Sequence, residues 1–256
     1  MDVVVCPDPD AFAATAADVV VRALAARGAP TLGLATGSSP LPLYRELGRR
    51  VAGGVLDLAA VRAFALDEYV GLPAGHPQSY REVIRRDAAE PLGLDPALVR
   101  VPDGSAPTLE QLTARAAAFD AAIVAAGGID IQVLGIGSDG HIGFNEPMSS
   151  LSSRTRVARL APRTRQDNAR FFRSVEEVPR LCVTQGIGTI LEARHLLLLA
   201  QGPGKAEAVA SALEGPLTAS VPASALQLHA EVTVVLDEAA AGGLRRRELY
   251  AGPITL

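Results

Sequence analysis

The chain has 256 residues, 48% hydrophobic and 20% charged, enough to bury a core without a disulfide framework or a structural metal. A formal net charge of -4 with no dense basic tract excludes a nucleic-acid footprint, and no apolar run reaches the ~18 residues of a membrane span. The opening MDVVVCPDPD lacks the basic start and apolar length of a signal peptide, and Cys6 and Cys182 match no metal-ligand spacing. These features predict a cytoplasmic protein in a reducing compartment, acting on a small-molecule partner rather than on nucleic acid or membrane.

Short apolar runs alternate with longer helical patterns along the chain. Residues 3–5 are predicted as a strand, followed by an Ala-rich helix over 10–27. A strand over 31–35 leads into a helix over 40–52, with Pro40 in the first turn, where its missing N–H costs nothing. A strand at 61–66 is followed by helices over 78–89 and 108–126 and then by a strand at 131–135. Residues 180–184 add a further strand candidate. The chain then reads as a strand at 196–200, a helix over 205–213 and a strand at 232–236. Nearly all the strand runs are continuously apolar, as expected of strands buried on both faces of a parallel sheet. The alternation predicts an α/β fold with right-handed crossovers, its ligand site on the loops beyond the strands' C-terminal ends. No repeat or linker divides the chain, so one domain over 1–256 is expected.

The loops carry the chemistry. Thr36, Gly37, Ser38 and Ser39 follow the 31–35 strand and open a helix. Hydroxyl donors, a glycine and free helix N–H groups make a phosphate cradle, although Ser38 or Ser39 as a simple helix cap is the competing reading. After the 61–66 strand, Asp67 and Glu68 offer two carboxylates. Neighbouring side chains of an extended segment point opposite ways, so one at most faces a pocket, and Asp67 is favoured as a general base.

The loop after residues 131–135 contains a literal GxGxxG at Gly135, Gly137 and Gly140. Gly143 and Pro147 break the helix that a dinucleotide site requires, and the region around residues 154–159 is basic where that site needs an acid, so this reading is rejected. What remains is Asp139, His141 and Glu146 in one Gly-rich loop, an imidazole beside carboxylates suited to acid–base work near neutral pH. A metal site from these three residues is the rival, but it lacks a Cys, a second nearby His and a helical His spacing. A histidine held by loop backbone is the blander alternative.

Residues 163–173 are basic and end near Phe171 and Phe172, which reads either as a surface helix or as a lid carrying an Arg to an anionic substrate. Lys205 is the single lysine among 24 basic residues and stands at a helix start, where a cation is unfavourable without an anion to meet. His76 sits in a polar loop near the predicted pocket. His195 and His229 flank strands and read as structural, and Arg245, Arg246 and Arg247 as a solvated face.

The segments LGLATGSSP, FALDEYVGL with HPQSY, LGIGSDGHIGFNEP with SSLSSRTR, and GPGKAEAV occur in the order found in glucosamine-6-phosphate deaminases, and from residue 32 to 237 the chain resembles that family. The resemblance implies a modified doubly wound, Rossmann-like α/β fold with helices on both faces of a largely parallel sheet. It implies amino-sugar catabolism, by conversion of glucosamine 6-phosphate to fructose 6-phosphate and ammonia with no metal or organic cofactor. By the same resemblance Asp139, His141 and Glu146 form the relay that opens the sugar ring, and Asp67 moves a proton from C2 to C1. Thr36, Gly37, Ser38, Ser39, Arg170 and Lys205 hold the 6-phosphate.

The related 6-phosphogluconolactonases run their His loop into a Ser-Leu-Phe-Pro-like ending and follow the acidic pair with Arg. This chain instead has Phe144-Asn145-Glu146-Pro147 and Tyr69. A non-catalytic sugar-phosphate sensor is a third alternative, although it need not keep Asp67, His141 and Glu146 together. Some family members are hexamers activated by N-acetylglucosamine 6-phosphate at a subunit interface, which leaves room here for a homo-oligomer. This chain keeps Ser149 and Arg156 but has Ala158 where regulated members carry Lys, with Arg159 beside it, and its tail after Tyr250 is short.

Overall fold

The computed structural model of the chain describes residues 1–25 and 28–250. Its strands are β1 (Asp2–Cys6), β2 (Thr31–Leu34), β3 (Arg62–Ala65), β4 (Asp67–Tyr69), β5 (Val99–Arg100), β6 (Ile131–Gly135), β7 (Arg156–Arg159), β8 (Leu181–Thr184), β9 (Leu196–Ala200) and β10 (Val232–Asp237). Seven of them form one sheet in the order β1-β10-β9-β6-β2-β3-β5, every pairing parallel. The apolar runs explain this. Every residue of β2 and β9 is buried, as strands covered on both faces require. The α/β fold built around a largely parallel sheet is therefore present.

The helices are α1 (Pro9–Ala25), α2 (Leu41–Ala52), α3 (Tyr80–Ile84), α4 (Leu109–Ala125), α5 (Pro162–Asn168), α6 (Ile187–Leu191) and α7 (Ala206–Leu213). Helix α1 packs on α2 and on strands of the sheet through buried Phe12, Ala16 and Val20. The predicted end of this helix, at Arg27, lies outside the described residues. Phe119 of α4 meets Phe64 of β3 edge-on, with ring centroids 5.6 Å apart. The predicted helix over 78–89 is in fact α3 followed by a π-helical turn, Arg85–Ala89.

Three strands were not anticipated from the sequence, and they change the architecture. The predicted strand over 61–66 is β3, ending at Ala65. The chain bends there, and β4 joins a separate antiparallel sheet of order β4-β8-β7. The 180–184 candidate is thus a strand, but one belonging to this second sheet. Strand β4 is three residues with two carboxylates, and β7 carries two arginines, so neither shows the apolar period that marks a strand. Tertiary cover makes them strands. Buried Tyr69, Phe144, Leu160, Val178 and Cys182 form a satellite core beneath them.

The main sheet positions the site. After β2 the chain moves right to β3, whereas β6 lies on the other side of β2, so the loops beyond β2 and β6 run apart. Such a switch point opens a crevice at the strands' C-terminal ends. The β2 end of that crevice is fixed by Tyr44 of α2, fully buried, whose hydroxyl accepts from Ala35 N at 3.0 Å and donates to Ala35 O at 2.9 Å. Tyr44→Phe leaves both backbone groups buried without partners. It should lower stability by about 1–3 kcal/mol. Urea unfolding should show a lower midpoint with an unchanged slope.

Candidate active site

At one end of the crevice, Thr36, Gly37, Ser38 and Ser39 run from β2 into α2 and line a cleft of about 330 Å³. Pro40 is the helix cap and supplies no side-chain cap bond; Ser38 O accepts from Leu41 N at 3.4 Å, but neither the Ser38 nor the Ser39 hydroxyl makes a hydrogen bond among the described residues. The capping alternative is therefore not what these hydroxyls do, and both serines line the cleft. Lys205 and Arg170 line the same cleft. Lys205 ends a 3-10 turn, Pro203–Lys205, just before α7, and has no salt bridge among the described residues. Burial pulls its ammonium below the ordinary range; Asp167 and Asp139 oppose that, and Arg170 and Arg163 add to it. An anion bound between Lys205 and Arg170 would relieve both the burial and the repulsion. Arg170 rests over the Phe171 ring at 4.7 Å.

Beside this cradle stands the loop after β6, where a Cβ on Gly135 would lie 3.7 Å from Ser39. It turns tightly, with Gly137 N donating to His141 O at 2.9 Å and Gly140 N to Gly137 O at 3.1 Å. A Cβ on Gly137 would lie 2.2 Å from the His141 ring, so only glycine lets the imidazole fold back into the cleft. The literal GxGxxG serves this turn, and no helix begins at it. Asp139 Oδ1 sits 2.7 Å from His141 Nδ1 and 3.2 Å from His141 N. Burial pushes the Asp139 carboxyl upward, but its hydrogen bonds and charge contact with His141 win and bring it down to about 2.

Glu146 Oε2 lies 3.7 Å from the same Nδ1. Its Oε1 accepts from Ala161 N at 2.9 Å, while Oε2 is buried with no hydrogen-bond partner. The imidazole lines the cleft, and the two carboxylates do not. Donor atoms of these three residues lie within 4.8 Å of one another, near enough to be weighed against a metal-ligand geometry. Ligand atoms about 2.1 Å from a tetrahedral zinc sit roughly 3.4 Å apart. The 2.7 Å contact is closer than that and is a hydrogen bond.

Strand β4 sets the acidic pair on opposite sides. Asp67 is 4% exposed and lines the cleft. Its Oδ2 would lie 3.4 Å from a Cβ on Gly143, which has φ +54°, so the loops beyond β3 and β6 meet at this carboxylate. Burial, and then the Glu68 charge, hold Asp67 well above the usual carboxylate range, against a backbone hydrogen bond from Phe144. Glu68 turns away from the cleft. Its carboxylate accepts from Tyr69 N, Ser79 Oγ, Tyr80 N and Arg81 N at 2.7–2.9 Å. It thereby caps the first turn of α3, the helix that carries Tyr80 and Val83 into the cleft wall. The sequence reading treated Glu68 only as the less favoured base and did not find this role, because the partners lie 11 to 13 residues away.

Other residues fall where the sequence pointed less clearly. Asn145 donates to Ile142 O and Gln185 O and accepts from Arg156, which also donates to Ser149. Ala158 packs against the satellite core and Arg159 is exposed. The tail after Tyr250 lies outside the described residues. His76 is not in the cleft but stacks on Phe172, with ring centroids 6.0 Å apart. His195 bonds Thr233 and His229 bonds Ala193 O, both as structural groups. Tyr80, Asp167 and Asn168 line the cleft without having been singled out. Tyr80 ends the HPQSY segment, and the other two lie inside the basic 163–173 stretch, where the arginines drew attention.

One cleft is thus lined by serine hydroxyls, Lys205 and Arg170 together with His141 and a buried carboxylate. Residues 7–235 match the family described as glucosamine-6-phosphate isomerases/6-phosphogluconolactonase, and the chain belongs to that family. It is 56% identical to the glucosamine-6-phosphate deaminase of Rhodococcus opacus and 54% identical to that of Streptomyces avermitilis. These alignments cover 98% of this chain and 95% and 97% of those proteins. A solved monomeric glucosamine-6-phosphate deaminase superposes with a TM-score of 0.90 at 40% identity, over 95% of this chain and 100% of that one. The 6-phosphogluconolactonase of Trypanosoma cruzi superposes at 0.77 and 23% identity, over 95% and 97% of the chains, a likeness of fold alone.

The raised Asp67 has a consequence for stability. A carboxyl whose folded pKa exceeds its unfolded value favours the fold most below the ordinary carboxylate range. That contribution is lost as pH rises through the folded pKa. Asp67→Asn removes the buried charge. Its melting temperature should exceed the parent's at pH 8, and the gap should close toward pH 4. A gap that widens on acidification would contradict the burial argument.

Proposed function

We propose that this chain catalyses the isomerising deamination of glucosamine 6-phosphate, with water, to fructose 6-phosphate and ammonia, in amino-sugar catabolism in the cytoplasm. The observation that carries the reading is that Asp67 and His141 line the same cleft as Ser38, Ser39, Lys205 and Arg170. The 6-phosphate lies against Thr36, Gly37, Ser38 and Ser39, with Lys205 and Arg170 closing on it. That places the sugar ring toward His141 and Asp67.

His141 exchanges a proton between the ring oxygen and the anomeric hydroxyl, opening the ring. Asp139 keeps the imidazole oriented and balances its charge as it gains a proton. Glu146 adds a second carboxylate beside the same nitrogen. Asp67 then takes the C2 proton and returns it to C1. The aldose bearing an amine at C2 becomes a C2 imine with a hydroxymethyl at C1. Water adds to the imine carbon, and ammonia leaves with the proton balance carried by the same groups. Every step is a proton transfer, an addition or an elimination assisted by proton transfer, so binding and acid–base groups suffice. The raised affinity of buried Asp67 for a proton suits a base that must take one from carbon. Ala158 offers no cation to an activating sugar phosphate, so hyperbolic kinetics are part of the proposal.

Incubation with glucosamine 6-phosphate should release ammonia and fructose 6-phosphate in equal amounts. Hydrolysis of 6-phosphogluconolactone with no ammonia from the amino sugar would overturn the reading. Asp67→Asn keeps the volume but cannot accept the C2 proton. It should lower kcat ~10²–10⁴-fold and abolish C2 exchange with deuterated solvent, with KM little changed. Persistent exchange would move the base elsewhere. Lys205→Ala removes a charge-assisted contact of about 1.5–3 kcal/mol, so KM should rise roughly ten- to a hundredfold. Steady-state kinetics with an unchanged KM would remove Lys205 from the phosphate site.

A further inference from the structure

Residues 161–178 line one side of the cleft through Thr164, Asp167, Asn168, Arg170 and Phe171. The ends of this segment are held. Ala161 N donates to Glu146, and the Arg165 side chain donates to Val175 O at 2.6 Å and Val178 O at 3.1 Å. Among the described residues, two side-chain bonds tie its middle to the rest of the molecule. Asn168 Nδ2 donates to the Tyr69 hydroxyl at 2.9 Å, and Ser138 Oγ to Asp167 at the longer 3.3 Å.

Tyr69 is 2% exposed, and its ring packs on Tyr80, Phe144 and Phe172 with centroids 4.8, 5.4 and 5.7 Å away. None of that packing needs an oxygen, and a buried hydroxyl is unfavourable unless it is partnered. Its oxygen accepts not only from Asn168 but also from Tyr80 Oη, at 3.4 Å. Tyr80 lines the same cleft as Thr36 at the phosphate cradle. A line of hydrogen bonds therefore runs from Tyr80 through Tyr69 to Asn168. Two residues further on is Arg170.

We infer that Tyr69 is a positioning residue whose hydroxyl docks the 161–178 segment through Asn168, so that Arg170 meets the anion held at Thr36–Ser39 and Lys205. The inference rests on the proposed function for the identity of that anion, but its geometry concerns only the cradle and the segment. The hydroxyl acts on binding through Arg170 and has no part in proton transfer. It is also the atom that the sequence comparison with an Arg at this position could not have assigned, because its partner Asn168 lies 99 residues away.

The test is a double-mutant cycle of Tyr69→Phe and Arg170→Ala, with Asn168→Ala as a second way to cut the tether without touching the buried ring. Kinetics are measured on glucosamine 6-phosphate, and inorganic phosphate binding by calorimetry. A neutral hydrogen bond carries about a two- to tenfold effect. Tyr69→Phe and Asn168→Ala should each raise KM and the phosphate Kd by that factor, with kcat within about twofold. In the Arg170→Ala background, Tyr69→Phe should change Kd less than about twofold, because the group it delivers is gone. An equal loss in both backgrounds, or a fall in kcat with KM unchanged, would overturn the inference. If the parent protein releases no ammonia yet phosphate binding shows the same non-additivity, the proposed reaction fails and the tether stands. If ammonia is released and the losses are additive, the tether fails and the reaction stands.

Discussion

The parting of β2 and β6 is the constraint on which this molecule depends. The two strands share only a short stretch of register, Leu32 opposite Ile131 and Gly33 opposite Gln132, and then their loops diverge. Parallel strands buried on both faces cannot place polar chemistry along their length, because each polar side chain there would sit in the apolar layers. The chemistry is therefore expelled to the strand ends, and the divergence of loops at a switch point gives it room. Gly33 shows how tightly this junction is packed. A Cβ there would stand 2.2 Å from the Gln132 side chain.

Two parts of the cleft are solved by different physics. At the cradle, groups are left unspent. The serine hydroxyls do not cap and, among the described residues, Lys205 has no salt bridge, so an anion bound there would satisfy what folding left over. Beside it, three carboxylates each have at least one oxygen bonded to a neighbour. Asp139 is committed to His141, Glu146 to Ala161, and Glu68 to the first turn of α3. Asp67 is the exception, buried beside a second carboxylate with its proton affinity raised. The fold holds it there through the satellite aromatic core and the small antiparallel sheet, a destabilised group retained where chemistry needs it.

The small sheet also joins distant segments. Asp67 of β4 stands opposite Thr184 of β8, and Thr184 opposite Arg156 of β7. Thr184 Oγ1 accepts from Phe144 N, and Asn145 ties the His loop to Gln185 and Arg156. The acidic pair, the His loop and the basic 156–159 strand are thus one hydrogen-bonded unit. Each is a separate motif along the chain.

Much of this was legible in the amino-acid order. The apolar runs at β1, β2, β3, β6, β9 and β10 located the main sheet to within a residue or two, because burial on both faces leaves a continuous signature. The loops beyond β2, β3 and β6 were legible too, since glycines, hydroxyls and charges have no other reason to interrupt such runs together. Strands β4, β5 and β7 were not legible: they are short, polar or both, and only cover from elsewhere in the chain makes them strands. Which carboxylate of Asp67 and Glu68 faces the cleft could be argued from alternation, but the capping of α3 by Glu68 could not. Nor could the line from Tyr80 through Tyr69 to Asn168. Local sequence determines propensity, burial pattern and the chemical inventory of each loop, whereas hydrogen bonds between residues 99 positions apart exist only once the chain has closed on itself.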